Sequence, residues 1–177
     1  MDRLLSQTIS DGNIGQLRFI VKSGVDINLI ESGCISPLFE VIERGDLCML
    51  RELIGLGINL DVRNECFQNL LYWSVLCGDN KIILELIRAG GDANERYYGG
   101  NTLLHFMVIK GVDGMIGELI EAGAVTDIQN VFGFTPLHLA ASYNRLGMFR
   151  ELVEKGASVN IKDSFGVTPL EHLEYKG

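Results

Sequence analysis

Phe134-Thr135-Pro136-Leu137-His138-Leu139-Ala140-Ala141 reads as a loop, then a cap, then a short helix. Thr135 can accept a backbone N–H at the helix start. Pro136 suits the first helical position, because its missing N–H has no intrahelical partner there in any case. Leu137, Ala140 and Ala141 give the helix a buried face of one large and two small residues, and small residues let a neighbouring helix approach closely.

The stretch recurs. Thr102-Leu103-Leu104-His105 stands 33 residues earlier, and Thr168-Pro169-Leu170 stands 33 residues later. Two columns of glycine keep the same period. Gly12, Gly45, Gly78 and Gly111 fall where a first helix should end, and Asn144 continues them as the next-best residue for a left-handed cap. Gly24, Gly57, Gly90, Gly123 and Gly156 mark the end of each second helix, so five units run without an insertion or deletion. Between the columns come Leu17 and Ile20, Leu50 and Leu53, Ile83 and Leu86, Ile116 and Leu119, Phe149 and Leu152. A spacing of three puts each pair on one helical face, which a single unit can bury only against its neighbour.

This period, with its Thr-Pro-Leu-His core, resembles the ankyrin repeat, whose unit is a β-turn and two antiparallel helices. The resemblance covers nearly the whole chain and implies an all-α fold with β-hairpin loops, a solenoid of stacked helix-turn-helix units. The expected organisation is a single domain over 1–177, in units of about 1–28, 29–61, 62–94, 95–127 and 128–160 with a partial sixth over 161–177. Leu4 to Ser10 opens the chain with a polar-leaning helix that fits an N-terminal cap. Thr168 to Leu173 begins the sixth unit, and the chain stops after Gly177. Either a lone helix closes the stack or the sequence is cut from a longer protein. Ser36-Pro37-Leu38-Phe39 and Asn69-Leu70-Leu71-Tyr72 depart from the motif, and Phe67 stands where later units have Gly100, Gly133 and Gly166. A non-glycine there changes the turn or holds it strained, so the third hairpin is expected to be the least regular.

Composition narrows the function. The 177 residues are 47% hydrophobic and carry a formal net charge of -8. That charge argues against affinity for phosphate backbones, which needs clustered Lys and Arg, so no nucleic acid is expected as partner. No apolar run approaches the roughly 20 residues that span a bilayer, and no signal pattern opens the chain. A cytoplasmic protein, with access to the nucleus, is expected. Cys34, Cys48, Cys66 and Cys77 have neither C-x-x-C spacing nor a nearby His, so neither a zinc site nor a disulfide framework is supported, and reduced, partly buried thiols are expected.

No catalytic residues, metal or cofactor are expected, because no glycine-rich phosphate loop, metal-spaced ligand set or paired nucleophile and base is present. His105 and His138 share a column, and in ankyrin repeats this imidazole bonds neighbouring backbone and joins units. His172 carries no signal. Glu52, Glu85, Glu118 and Glu151 form another column, read as a solvated outer face with Arg51, Arg88 and Arg150 nearby rather than as an acidic docking strip. Trp73 is expected in the core rather than in an aromatic cage with Tyr97 and Tyr98. Asn28, Asp61, Asn94, Asp127 and Asn160 close each unit with turn chemistry. By resemblance, Asn28 and Asn94 are possible hydroxylation sites.

The aromatics at the hairpin tips point elsewhere. By resemblance Tyr98, Phe132, Phe134 and Phe165 project toward solvent, where a turn without a binding duty is usually polar. The ends of the first helices, which in the family face the concave surface, add Leu76, Ile109, Lys110, Ser142 and Tyr143. The expected partner-binding set is completed by Arg63, Glu65, Arg96, Asn101 and Val131, with Arg63, Arg96 and Lys162 on the rim. An apolar centre with a charged rim suits a protein-binding groove. The reading is a non-catalytic interaction module for another protein or peptide, an inhibitor or adaptor, monomeric in isolation. The alternative is a regulatory or targeting domain of a longer protein, such as a ubiquitin-ligase substrate receptor or a kinase or channel. An enzyme is the weakest reading.

Overall fold

The computed structural model describes residues 2–28, 37–112 and 114–174. Cys34, Ser36 and Gly177 lie outside them. The described residues are helical, with one isolated antiparallel bridge between Arg63 and Asn69. They form two compact units, Met1–Gly91 and Asp92–Gly177.

Unit 1 holds α1 (Asp2–Ser10), α2 (Ile14–Lys22), α3 (Pro37–Glu43), α4 (Leu47–Gly55), α5 (Leu70–Cys77) and α6 (Asn80–Arg88). First helices pack on first helices, α1 on α3 and α3 on α5, while α4 packs on α6. The apolar stripe is the core: Leu17, Leu50, Leu53 and Ile83 are fully buried. The second helices start on side chains that accept orphan backbone N–H groups. Asn13 accepts from Gln16, Asp46 from Met49, and Asp79 from Lys81 and Ile82.

Unit 2 holds a 3-10 turn (Tyr98–Gly100), α7 (Leu103–Lys110), α8 (Ile116–Glu121), α9 (Pro136–Ser142), α10 (Leu146–Glu154) and α11 (Pro169–Glu174). Here α7 packs on α9, α9 on α11, and α8 on α10. Thr135 caps α9 as its position implies: its side chain accepts the His138 N–H, and Pro136 takes the first turn. Asn144 adopts the left-handed conformation of its glycine column, with φ 55°.

The hairpins among the described residues share one geometry, and the third corrects the expectation placed on it. Asn64 N–H donates to Gln68 O, and Phe67 N–H to Asn64 O. The same two bonds recur at Asn130 with Phe134 and Gly133, and at Asp163 with Val167 and Gly166. The third hairpin stays regular because Phe67 accepts a left-handed backbone, φ 58°, at the glycine position. The acceptor column explains its tolerance. Asn64 Oδ1 takes the N–H groups of Cys66 and Gln68, just as Asn130 and Asp163 do for their own turns. Tyr97 replaces the acceptor in the fourth hairpin, and there two consecutive glycines, Gly99 and Gly100, take positive φ instead. The irregular second helix is α8, with 6 residues where the others have 9; both it and α10 start without a side-chain cap.

Candidate functional site

Within unit 2 the hairpins are laced tip to tip. Val131 N–H donates to Gly99 O at 3.0 Å and Ser164 N–H to Phe132 O at 3.1 Å. Side chains add a second ladder: Arg96 donates to Gln129 O, and Gln129 to Lys162 O. With the turn backbone committed inward, the tip side chains point out. Tyr98 is 95% exposed, Phe165 75%, Val131 65% and Phe132 56%.

Phe134, expected to project with them, does not. It is half-buried, its ring stands 5.6 Å from that of His172 and 5.9 Å from that of His138, and its carbonyl receives a bond from His105. The residue follows the tip and starts the descent to α9, so its side chain turns into the stack. Asn101 is likewise structural, donating to Tyr98 O and accepting from Asn130. Arg96 is occupied at Gln129 O and Gly100 O.

Ile109 and Lys110 end α7, and Ser142 and Tyr143 end α9, on helices that pack together. Tyr143 is 52% exposed. Lys110 and Lys162 are exposed, and the charge of Lys162 helps to lower the Glu171 carboxyl. In unit 1, Arg63 and Glu65 are exposed and Leu76 is half-buried; Arg63 donates to Phe67 O.

The shared histidines are joints between repeats. A backbone N–H can only donate and a carbonyl can only accept, which fixes the tautomer. Nδ1 of His105 accepts from Thr102 N–H and its Nε2–H donates to Phe134 O; Nδ1 of His138 accepts from Thr135 N–H and its Nε2–H donates to Val167 O. Burial pushes the His105 imidazole down to about 4 and lowers that of His138 as well.

Sequence reasoning missed His172. Its Nε2 lies 2.7 Å from Asp163 Oδ2, and its Nδ1 lies 3.4 Å from Ser142 Oγ. The order imitates a nucleophile, base and acid, but Ser142 closes α9, where the negative end of the helix dipole disfavours a developing oxyanion. The cluster instead fixes α11 to the last hairpin. Only the helical register that brings position 172 beside 142 and 163 reveals it.

Of the glutamate column only Glu118 is exposed as expected; Glu52, Glu85 and Glu151 are half-buried, held by cations or a backbone N–H of the preceding repeat. Arg18 pairs with Glu52, Arg51 with Glu85 and Lys155 with Glu121. The Glu52 carboxyl is held below its ordinary range by its hydrogen bond from Arg18. Asn28 and Asn94 act as clamps between successive repeats: each accepts an N–H, from Asn59 and Val125, and each donates, to Gly57 O and Gly123 O. Trp73 meets Phe39 edge-on at 6.0 Å and is half-buried, and Tyr97 meets Phe106. Cys48, Cys66 and Cys77 are free and lie on exposed residues of helices and a hairpin tip, and partial burial pushes the Cys77 thiol up.

Residues 71–163, just over half of the chain, match the family model for ankyrin repeats in three copies. No curated protein matches the chain. No helix among the described residues is long and apolar enough to cross a membrane.

Proposed function

The chain belongs to the ankyrin-repeat family, and from that premise we propose that it is a non-catalytic adaptor or inhibitor that grips a partner protein or peptide with its hairpin tips and first-helix ends. Ankyrin repeats are in general protein–protein interaction modules. The observation that carries the reading is the exposure of Tyr98, Val131, Phe132, Tyr143 and Phe165 in one unit, which also exposes Lys110 and Lys162.

Aromatic side chains supply large contact area for few rotatable bonds, so they serve as anchors. The lysines orient acidic residues of the partner and speed its arrival. Ile109 and Ser142 floor this surface, while Phe134, Asn101 and Arg96 hold the hairpins that carry it. In unit 1, Arg63, Glu65 and Leu76 provide further contacts of their own. The protein acts as a monomer in the cytoplasm, with access to the nucleus, and needs no cofactor.

The test is affinity purification from the native cell with the intact protein and with a Phe132→Ser, Tyr143→Ser, Phe165→Ser variant. A partner lost only from the variant supports the reading. Identical partners for both proteins would remove this surface from it.

A further inference from the structure

The fourth repeat builds its second helix from unfavourable parts. α8 has 6 residues where α2, α4, α6 and α10 have 9, and a helix of under two turns has little stability of its own. Its N-cap, Met115, offers no acceptor, and Val112 stands in the column that supplies Asn13, Asp46 and Asp79 to the first three second helices. Gly117 lies inside it, where glycine weakens a helix. Ile116 and Leu119 are nevertheless fully buried, so the helix is held from outside.

The hold comes from α10. Glu151 Oε1 accepts the Gly117 N–H at 3.1 Å, serving one of the orphan donors that an N-cap side chain serves in the earlier repeats. Lys155, one turn on, reaches Glu121 Oε1 at 3.0 Å. The missing side chain makes room for both. A Cβ at Gly117 would stand 3.2 Å from Lys155 Cε and 3.6 Å from Glu151 Oε1.

The column of Glu151 behaves differently in unit 1. There Glu52 pairs with Arg18 and Glu85 with Arg51, side chain to side chain, on helices already capped by Asn13 and Asp46. Gly117 occupies the place of those arginines, so the same glutamate reaches backbone instead. An open hollow of about 460 Å³, lined by Glu151 with Gly114, Arg145 and Met148, brings water to the contact.

We propose that α8 is a gate: an order–disorder element that opens by itself while α7, α9 and α10 stay folded, and that Glu151 and Lys155 of the following repeat keep it shut. Opening frees Ile116 and Leu119 and uncovers the side of α10 on which α8 packs. Regulated segments are drawn from the least stable elements of a fold, and here one borrowed cap decides whether the element is ordered. Glu151 is thus a positioning residue that acts through α8.

The test is amide hydrogen exchange on the intact chain, with rates corrected for sequence. Leu119, Ala122 and Ala124 report on α8, Gly111 on α7, and Phe149 and Lys155 on α10, because each N–H is bonded within or at the end of its helix. In wild type the α8 reporters should exchange at least about tenfold faster than those of α7 and α10. Glu151→Ala should speed α8 by a further tenfold or so and leave α7 unchanged. Glu151→Gln, which keeps an acceptor oxygen, should fall between the two. Glu85→Ala should leave Leu56 and Ile58, the reporters of α4, as they are. Equal protection of α8 and α10 in wild type would overturn the proposal. So would unchanged α8 exchange in Glu151→Ala, an acceleration spread evenly over α7, α8 and α10, or a loss at α4 in Glu85→Ala as large as the loss at α8.

Discussion

His105 donates its Nε2–H to the carbonyl oxygen of Phe134, 2.9 Å away in the next repeat. The bond requires a neutral ring, because Nδ1 faces the N–H of Thr102 and must accept from it. Burial holds the folded imidazole down to about 4, against about 6.5 in an unfolded chain. Between those values the unfolded chain binds the extra proton, so stability is full above the unfolded value and falls as the pH drops toward the folded one. Urea denaturation should show a loss of about 3 kcal/mol between pH 7.5 and pH 4, in which His105→Gln does not share. A flat profile for wild type over that range would contradict a buried ring that stays neutral in the fold.

His138 repeats the joint one unit on, bonding Thr135 N–H and Val167 O from a fully buried position. Removing the ring leaves both groups unsatisfied and opens a hole above the small residues of α9. His138→Ala should cost about 2–4 kcal/mol in chemical denaturation. A cost below about 0.5 kcal/mol would mean that the bonds to the next hairpin contribute nothing.

Gly133 and Gly156 both have positive φ, 75° and 94°, but their surroundings differ. A Cβ at Gly133 would lie 2.5 Å from Ser164 N and 2.9 Å from the carbonyl carbon of Asp163, whereas one at Gly156 would meet nothing within 4 Å. Gly156→Ala should therefore cost only the backbone strain, about 1–2 kcal/mol, and Gly133→Ala clearly more, since the neighbouring hairpin must move. Equal costs measured by thermal melts would argue against the close tip-to-tip packing.

Asp163 ties the end of unit 2 together. One oxygen accepts the Phe165 and Val167 N–H groups, and the other faces His172 Nε2. Burial opposes its charge, yet the bonds from His172 and the two amides outweigh burial and hold the carboxyl below its ordinary range. Its contribution is thus present above the unfolded carboxylate value and lost as the pH falls through the lowered one. In Asp163→Ala, amide exchange should accelerate in α11 and the last hairpin well before it does in α7. Unchanged exchange in α11 would show that the aspartate does not hold it.

The fold was legible because its columns reinforce one another. Leu17, Leu50 and Ile83 stand in register with the glycines, and all are buried where a stack needs them. Residues that act across repeats were legible only where the column repeats, as with His105 and His138. His172 sits one place out of that column, and its partners Asp163 and Ser142 are chosen by the packing of α11 rather than by spacing. Phe134 was misjudged for a related reason. Adjacent tip residues look alike in sequence, and the direction of each side chain is set by the hydrogen bonds that Asn130 makes to the turn. Phe67 was visible as a departure, but the Asn64 acceptor that lets the hairpin tolerate it became clear only with the turn in place.

The most direct test of the binding surface is calorimetric titration of a purified partner against wild type, a Tyr143→Ser, Phe165→Ser variant and a Glu85→Ala, Glu118→Ala variant of the outer face, all checked for an unchanged melting temperature. The account predicts affinity at least about tenfold weaker for the aromatic pair and wild-type affinity for the glutamate pair. Full affinity in the aromatic variant together with a loss in the glutamate variant would contradict it, and would move the interaction to the opposite face.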